Sequence, residues 1–174
     1  VTCYMASALQ FLSVVTPFLS LIFQQDPSNK ICNELQNVFR QLRNAFGPLQ
    51  IRNFISSFGE HSFEMSYREQ DSHEFILTLF DYLDKEIGKD FEKARNEIFG
   101  IELVRIIESK AVNVKKETEE FQNDIPLPIA HFNSIQQSLD SLTEDELFEG
   151  DNKWDTGTEH GKQDAVRRLR FKKL

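Results

Sequence analysis

The apolar residues of this 174-residue chain change their spacing once, near Phe99, and that change limits the possible folds more than any other feature. Before it they recur at three- and four-residue steps, the period of a helix with one buried face. Met5, Ala8, Leu9, Leu12 and Val15 form the first such run, which Pro17 ends or kinks. Ile31, Leu35, Val38, Phe39 and Leu42 repeat the pattern after the turn Asp26-Pro27-Ser28-Asn29, and Gly47-Pro48 breaks it again. Ile76, Leu79, Phe80, Leu83 and Ile87 define the clearest helix, over 71–88. Beyond Phe99, Ile101, Leu103 and the Ile106-Ile107 pair predict a strand, and Val112 with Val114 a second. Residues 124–129 alternate apolar positions with two prolines, the mark of an edge strand or an extended segment. Ile135, Leu139 and Leu142 predict a helix over 134–142, and Thr143-Glu144-Asp145-Glu146 can form a capping box for another short one. Gly150-Asp151-Asn152 reads as a turn and 165–174 as a strand. The expected fold class is α+β, with a helical lobe over 1–97 followed by a strand-rich lobe over 98–174.

Charge and composition narrow the function classes. A net charge of −8 argues against general nucleic-acid binding and favours a basic partner. The one basic cluster, Arg167, Arg168, Arg170, Lys172 and Lys173, alternates with Val166, Leu169 and Phe171 and reads as the solvated side of a strand. The apolar stretch 9–23 is too short to span a bilayer, is interrupted by Pro17 and lacks a basic leader, so a buried helix is expected there and no membrane partner. Two cysteines, Cys3 and Cys32, give no disulfide framework, which suits a reducing compartment, cytosol or nucleus. The chain opens at Val1 without an initiator methionine and stops directly after a basic run, and it reads as a piece of a longer protein.

Two places hold residues that can carry chemistry. Thr2-Cys3-Tyr4-Met5 stands directly before the first helical run. A thiol at a helix N-terminus faces unpaired backbone N–H groups and the positive end of the dipole, which favour the nucleophilic thiolate. The same cysteine can equally be a small buried hydrophobe. Glu69-Gln70-Asp71-Ser72-His73-Glu74-Phe75 opens the clearest helix. At about 100° per residue, Asp71 and Glu74 share a face pointing away from the apolar stripe. They can hold a basic peptide there, or act only as a cap and as first-turn charges that favour the helix.

Thr2-Cys3-Tyr4-Met5-x-Ser7-x-Leu9-Gln10 resembles the cysteine box of the ubiquitin-specific proteases, in which the cysteine opens the first helix. That family usually has Asn where this chain has Ala6. The segment from Gln70 to Phe75 is similar to the family's Gln-Asp-x-x-Glu-Phe motif, with His73 in place of the more usual Gln. Phe99-Gly100 and Glu149-Gly150-Asp151-Asn152-Lys153-Trp154 resemble two later segments, in the family's order. The resemblance implies the N-terminal half of a papain-like catalytic domain: a helical thumb and strand-rich fingers, both parts of one truncated domain. It implies a deubiquitinating cysteine peptidase with Cys3 as nucleophile. Ubiquitin would be bound by Tyr4, Gln70, Asp71, His73 and Glu74, and the partners would be ubiquitin and ubiquitinated proteins.

Many members bind a structural zinc through two Cys-x-x-Cys pairs. The matching regions here, 107–110 and 156–159, contain no cysteine, so neither that metal nor any other cofactor is expected. Loss of the pairs, with Glu159-His160-Gly161, Gln163 and Ala165, most resembles the herpesvirus-associated branch. None of His61, His73, His131 and His160 has the Gly-His-Tyr context of the catalytic histidine, and His160 reads as structural. The chain as written is therefore expected to be catalytically silent, because a cysteine protease needs a base to take the thiol proton and return it to the leaving amine. The rival implications are a catalytically degenerate ubiquitin-binding scaffold, to which Ala6 and the missing histidine would point, and an α+β interaction domain unrelated to ubiquitin.

Overall fold

The computed structural model describes residues 2–44, 47–58 and 71–173, which divide into two compact units, Val1–Ile98 and Phe99–Leu174. The first is helical and the second is built on antiparallel strands, so the fold class is α+β.

In the first unit, α1 (Cys3–Val14) and α2 (Thr16–Phe23) meet at 93°. Pro17 sits in the first turn of α2, where its missing N–H does no harm. In a continuous helix its ring would meet the carbonyl of Ser13, so the chain turns instead at Val15 (φ −80°, ψ 88°). The single buried helix expected over 9–23 is thus two helices. Phe11 and Val14 are 54% and 74% exposed, while Leu9, Leu12, Phe18 and Ile22 are fully buried. No single described helix is long and apolar enough to cross a membrane.

The next helix, α3 (Lys30–Asn44), buries Ile31, Cys32, Leu35, Val38 and Phe39. Its buried Gln36 turns inward, and Nε2 donates to the carbonyls of Ile22 and Gln25 at 3.0 and 3.1 Å, satisfying acceptors at the end of α2. After α4 (Arg52–Ser57) come α5 (Ser72–Ile87) and α6 (Lys89–Phe99). The two are joined at Gly88, whose φ of 111° disfavours any residue with a Cβ. A fork ties them together: Arg95 donates through Nε to Asp84 Oδ1 (3.0 Å) and through Nη2 to Oδ2 (2.6 Å). The same guanidinium lies 4.9 Å from the centre of the Phe80 ring.

The second unit carries a four-stranded sheet in the order β2-β1-β6-β3, formed by β1 (Ile101–Ser109), β2 (Val114–Gln122), β3 (Glu146–Phe148) and β6 (Ala165–Lys173). Register runs from Ile101 opposite Gln122 to Ser109 opposite Val114, and Leu103, Arg105 and Ile107 face Phe171, Leu169 and Arg167. A helix, α7 (Ile135–Thr143), starts at Ser134, whose Oγ accepts from the Gln137 amide, and packs on β6. A small hairpin pairs β4 (Trp154–Asp155) with β5 (Lys162–Gln163).

Three expectations change here. Val112 lies in the turn before β2, whereas residues 124–129 join no strand, as the extended-segment alternative allowed. The capping box expected at Thr143–Glu146 does not form, because Glu146 begins β3 and Asp145 accepts from Arg168 Nε (2.8 Å) and Arg170 Nη2 (3.0 Å). The basic run of β6 is more than a solvated face. Arg168 also bonds Glu108, Arg167 pairs with Glu146, and Lys172 with Glu119, so strand neighbours are cross-linked by charge.

Candidate active site

Cys3 is the first residue of α1 and is exposed, which removes the reading of it as a buried hydrophobe. The Thr2 side chain makes no capping bond, so the cysteine stands beside backbone N–H groups that have no intrahelical partner. Its own carbonyl accepts from Ser7 Oγ at 3.1 Å. The contrast is Cys32, fully buried in α3, whose thiol is pushed up to about 11 by burial, with Asp26 and Glu86 adding to the shift.

Tyr4, expected among the ubiquitin-binding residues, is packed between helices. It is only 4% exposed, and its ring meets Phe75 edge-on, centroids 5.6 Å apart at 76°. The side chain is therefore part of the packing of α1 on α5. Burial pushes its hydroxyl pKa up, with Cys3 adding to the shift.

The first turn of α5 carries the carboxylates. Asp71 is the N-cap, in extended conformation, and its Oδ1 accepts from the His73 amide at 2.6 Å. The capping role weighed for it in the sequence is therefore real. Glu74 is exposed one turn on, and neither carboxylate forms an ion pair with a described residue. His73 is exposed in the same turn. Gln70, expected beside them, lies outside the described residues, as does His61.

Packing of α1 on α5 brings these turns together, since Tyr4 directly follows Cys3 and Phe75 directly follows Glu74. Phe75 was quoted in the motif without a role, and the structure gives it one. It continues into a buried aromatic cluster with Phe58 (6.3 Å), which touches Phe54 (5.2 Å) and Tyr82 (5.1 Å). The signal in the sequence was an aromatic immediately behind each polar motif residue, a pattern easily taken for ordinary core.

The remaining histidines belong to the second unit. His160 is exposed in the β4–β5 turn, 3.9 Å from Glu159, and His131 is exposed with φ 71°. Among the described residues, no group of three or more His, Cys, Asp or Glu side chains is placed to hold a metal ion. A hollow of about 530 Å³ beneath α7 is lined by Arg105 paired with Glu120 and Arg167 paired with Glu146, and by Glu144.

An exposed cysteine heads one helix, which packs against a helix headed by two carboxylates, and an antiparallel sheet follows in the chain. Sequence comparison supplies the class: the family model for ubiquitin carboxyl-terminal hydrolases matches residues 1–174, and the chain belongs to that family. It is similar to "Ubiquitin carboxyl-terminal hydrolase 15" of Saccharomyces cerevisiae, 30% identical over 98% of this chain. "Ubiquitin carboxyl-terminal hydrolase 7" of Drosophila melanogaster is also 30% identical, and "Ubiquitin carboxyl-terminal hydrolase 5" of Schizosaccharomyces pombe is 29% identical, each over 98% of the chain. The chain spans only 14%, 15% and 16% of these three relatives.

Proposed function

We propose that the full-length protein is a deubiquitinating cysteine peptidase that cleaves the bond after the C-terminal glycine of ubiquitin, with Cys3 as nucleophile. The observation that carries this reading is the exposed Cys3 at the head of a helix packed against the one whose first turn bears Asp71 and Glu74. Cys3 Sγ attacks the glycine carbonyl carbon, the amine of the conjugated lysine leaves, and water then hydrolyses the thioester. Asp71, Glu74, His73 and Gln70 hold the basic tail, the two carboxylates by charge-assisted hydrogen bonds. The base that takes the thiol proton and returns it to the leaving amine comes from residues outside this sequence, so these 174 residues alone are silent.

In the same reading the first unit is the thumb and the second the fingers, without thiolate zinc because the Cys-x-x-Cys pairs are absent. That absence also supports the herpesvirus-associated branch, and the paucity of cysteine supports a cytosolic or nuclear setting. The second reading, a ubiquitin-binding scaffold without activity, is favoured by Ala6 and by the lack of a histidine in the Gly-His-Tyr context.

Turnover of an isopeptide-linked ubiquitin–lysine peptide by the full-length protein, and by its Cys3→Ala variant, separates the two. Activity lost in the variant supports the peptidase. Tight binding without turnover in either protein supports the scaffold.

A further inference from the structure

We infer that the edge-on contact between Tyr4 and Phe75 is a positioning device that sets the register between the nucleophile and the ubiquitin-tail grip. This inference rests on the proposed peptidase function and concerns residues that touch no substrate. Its basis is where the contact lies. Tyr4 and Phe75 belong to the first turns of α1 and α5, one residue after Cys3 and one residue after Glu74 respectively. Tyr4 is 4% exposed and Phe75 fully buried, so neither ring presents a face to a ligand.

The contact is also held from behind. Phe75 leans on Phe58, which is wedged between Phe54 and Tyr82, and Tyr82 Oη donates to the Ser57 carbonyl at 3.0 Å. Aromatic pairs have a preferred offset or edge-on geometry, which sliding of one helix along the other would disturb. Further along the two helices, Leu9 and Leu12 of α1 and Leu79 and Leu83 of α5 are all buried. Aliphatic side chains lack the directional preference of an aromatic pair, so the rings at the top add a geometric constraint on register.

A bound tail gripped by Asp71 and Glu74 must place its terminal carbonyl within attack distance of Cys3 Sγ. A displacement of about 1 Å at such a distance costs on the order of 10²-fold in rate even though binding survives. The contact therefore contributes to kcat, whereas the carboxylates contribute to KM.

The test uses the full-length protein with Tyr4→Leu, Phe75→Leu, the double variant and Tyr4→Phe. Each is measured for kcat and KM on a ubiquitin–lysine isopeptide, and for the alkylation rate of Cys3 by iodoacetamide, which needs no tail. Active enzyme is counted from alkylatable Cys3, so a variant that folds poorly is corrected for. The expected result for Tyr4→Leu is a fall in kcat of at least ~10-fold, KM within about 3-fold and alkylation within about 2-fold of the parent. Phe75→Leu should match it, the double variant should be no worse than either single, and Tyr4→Phe, which keeps the ring, should restore the rate. A kcat per alkylatable Cys3 within about 3-fold of the parent in both single variants would overturn the inference, as would equal losses of kcat and alkylation. Absence of any turnover in the parent would instead overturn the peptidase reading.

Discussion

Asp71 caps α5 through one carboxylate oxygen, and the same carboxylate belongs to the proposed grip on the ubiquitin tail. Asn caps as well as Asp but carries no charge, so Asp71→Asn separates the two roles. In the full-length protein it should raise KM by about 10-fold, as expected for loss of a charge-assisted bond. In the 174-residue chain it should change stability by less than ~0.5 kcal/mol, whereas Asp71→Ala should cost about 1 kcal/mol as well as binding. Unchanged KM in Asp71→Asn would leave only the cap. The two cysteines give a second residue-scale prediction. Near pH 8, iodoacetamide followed by peptide mapping should find Cys3 labelled and Cys32 protected until the chain is denatured, because Cys32 is buried and its thiol sits at about 11. Labelling of Cys32 in the folded chain would contradict that packing. The position of Cys3 was legible in the sequence but its exposure was not, since the head of a helix suits a buried thiol as well as a reactive one. The packing of Tyr4 against Phe75 was likewise not legible, because the residue directly follows an exposed cysteine at the head of the helix.

Among the elements, the α1–α2 break was readable because a proline ring has only one outcome inside a helix, and α5 because its stripe is purely apolar. The helix α6 was not readable as a separate element. Its buried positions are Phe91 and Arg95, and an arginine that folds inward onto Asp84 and Phe80 looks in sequence like a solvent-facing residue. The full length of β2 was equally hidden, because Lys115 to Glu120 alternate no apolar residues and are ordered by pairing with β1. The α5–α6 fork gives a prediction of sign and size. The Arg95 and Asp84 side chains are only 5% and 15% exposed. Asp84→Ala strands a buried guanidinium and should cost about 3–5 kcal/mol, while the double variant Asp84→Leu, Arg95→Met, which removes both charges and fills similar space, should cost less than about 1 kcal/mol. Urea midpoints of the 174-residue chain measure both, and equal losses would mean that packing rather than charge holds the helices.

Over the whole molecule, the change of apolar spacing near Phe99 falls where the helical unit gives way to the sheet, and it was legible because helices and strands bury surface at different periods. What the sequence left hidden is the electrostatic lacing of the sheet unit. Hydrogen bonds from Arg168 hold the carboxyls of Glu108 and Asp145 below the usual carboxylate range, and Arg105 does the same for Glu120. A carboxyl whose folded pKa is depressed adds stability above its unfolded pKa of about 4, and that stability is lost as pH falls through the lower folded value. Thermal melts of the chain should therefore weaken progressively below about pH 4, and the double variant Glu108→Gln, Asp145→Asn should show a shallower decline. An identical slope in the variant would place the acid sensitivity elsewhere. The claim on which the whole account turns is that Cys3 is a nucleophile directed at ubiquitin. The most direct measurement is intact-mass analysis of the full-length protein after reaction with ubiquitin carrying a thiol-reactive electrophile at its C-terminus. The account predicts a single added ubiquitin, mapped to Cys3 and absent from Cys3→Ala. No adduct, or an adduct that persists in Cys3→Ala, would contradict it.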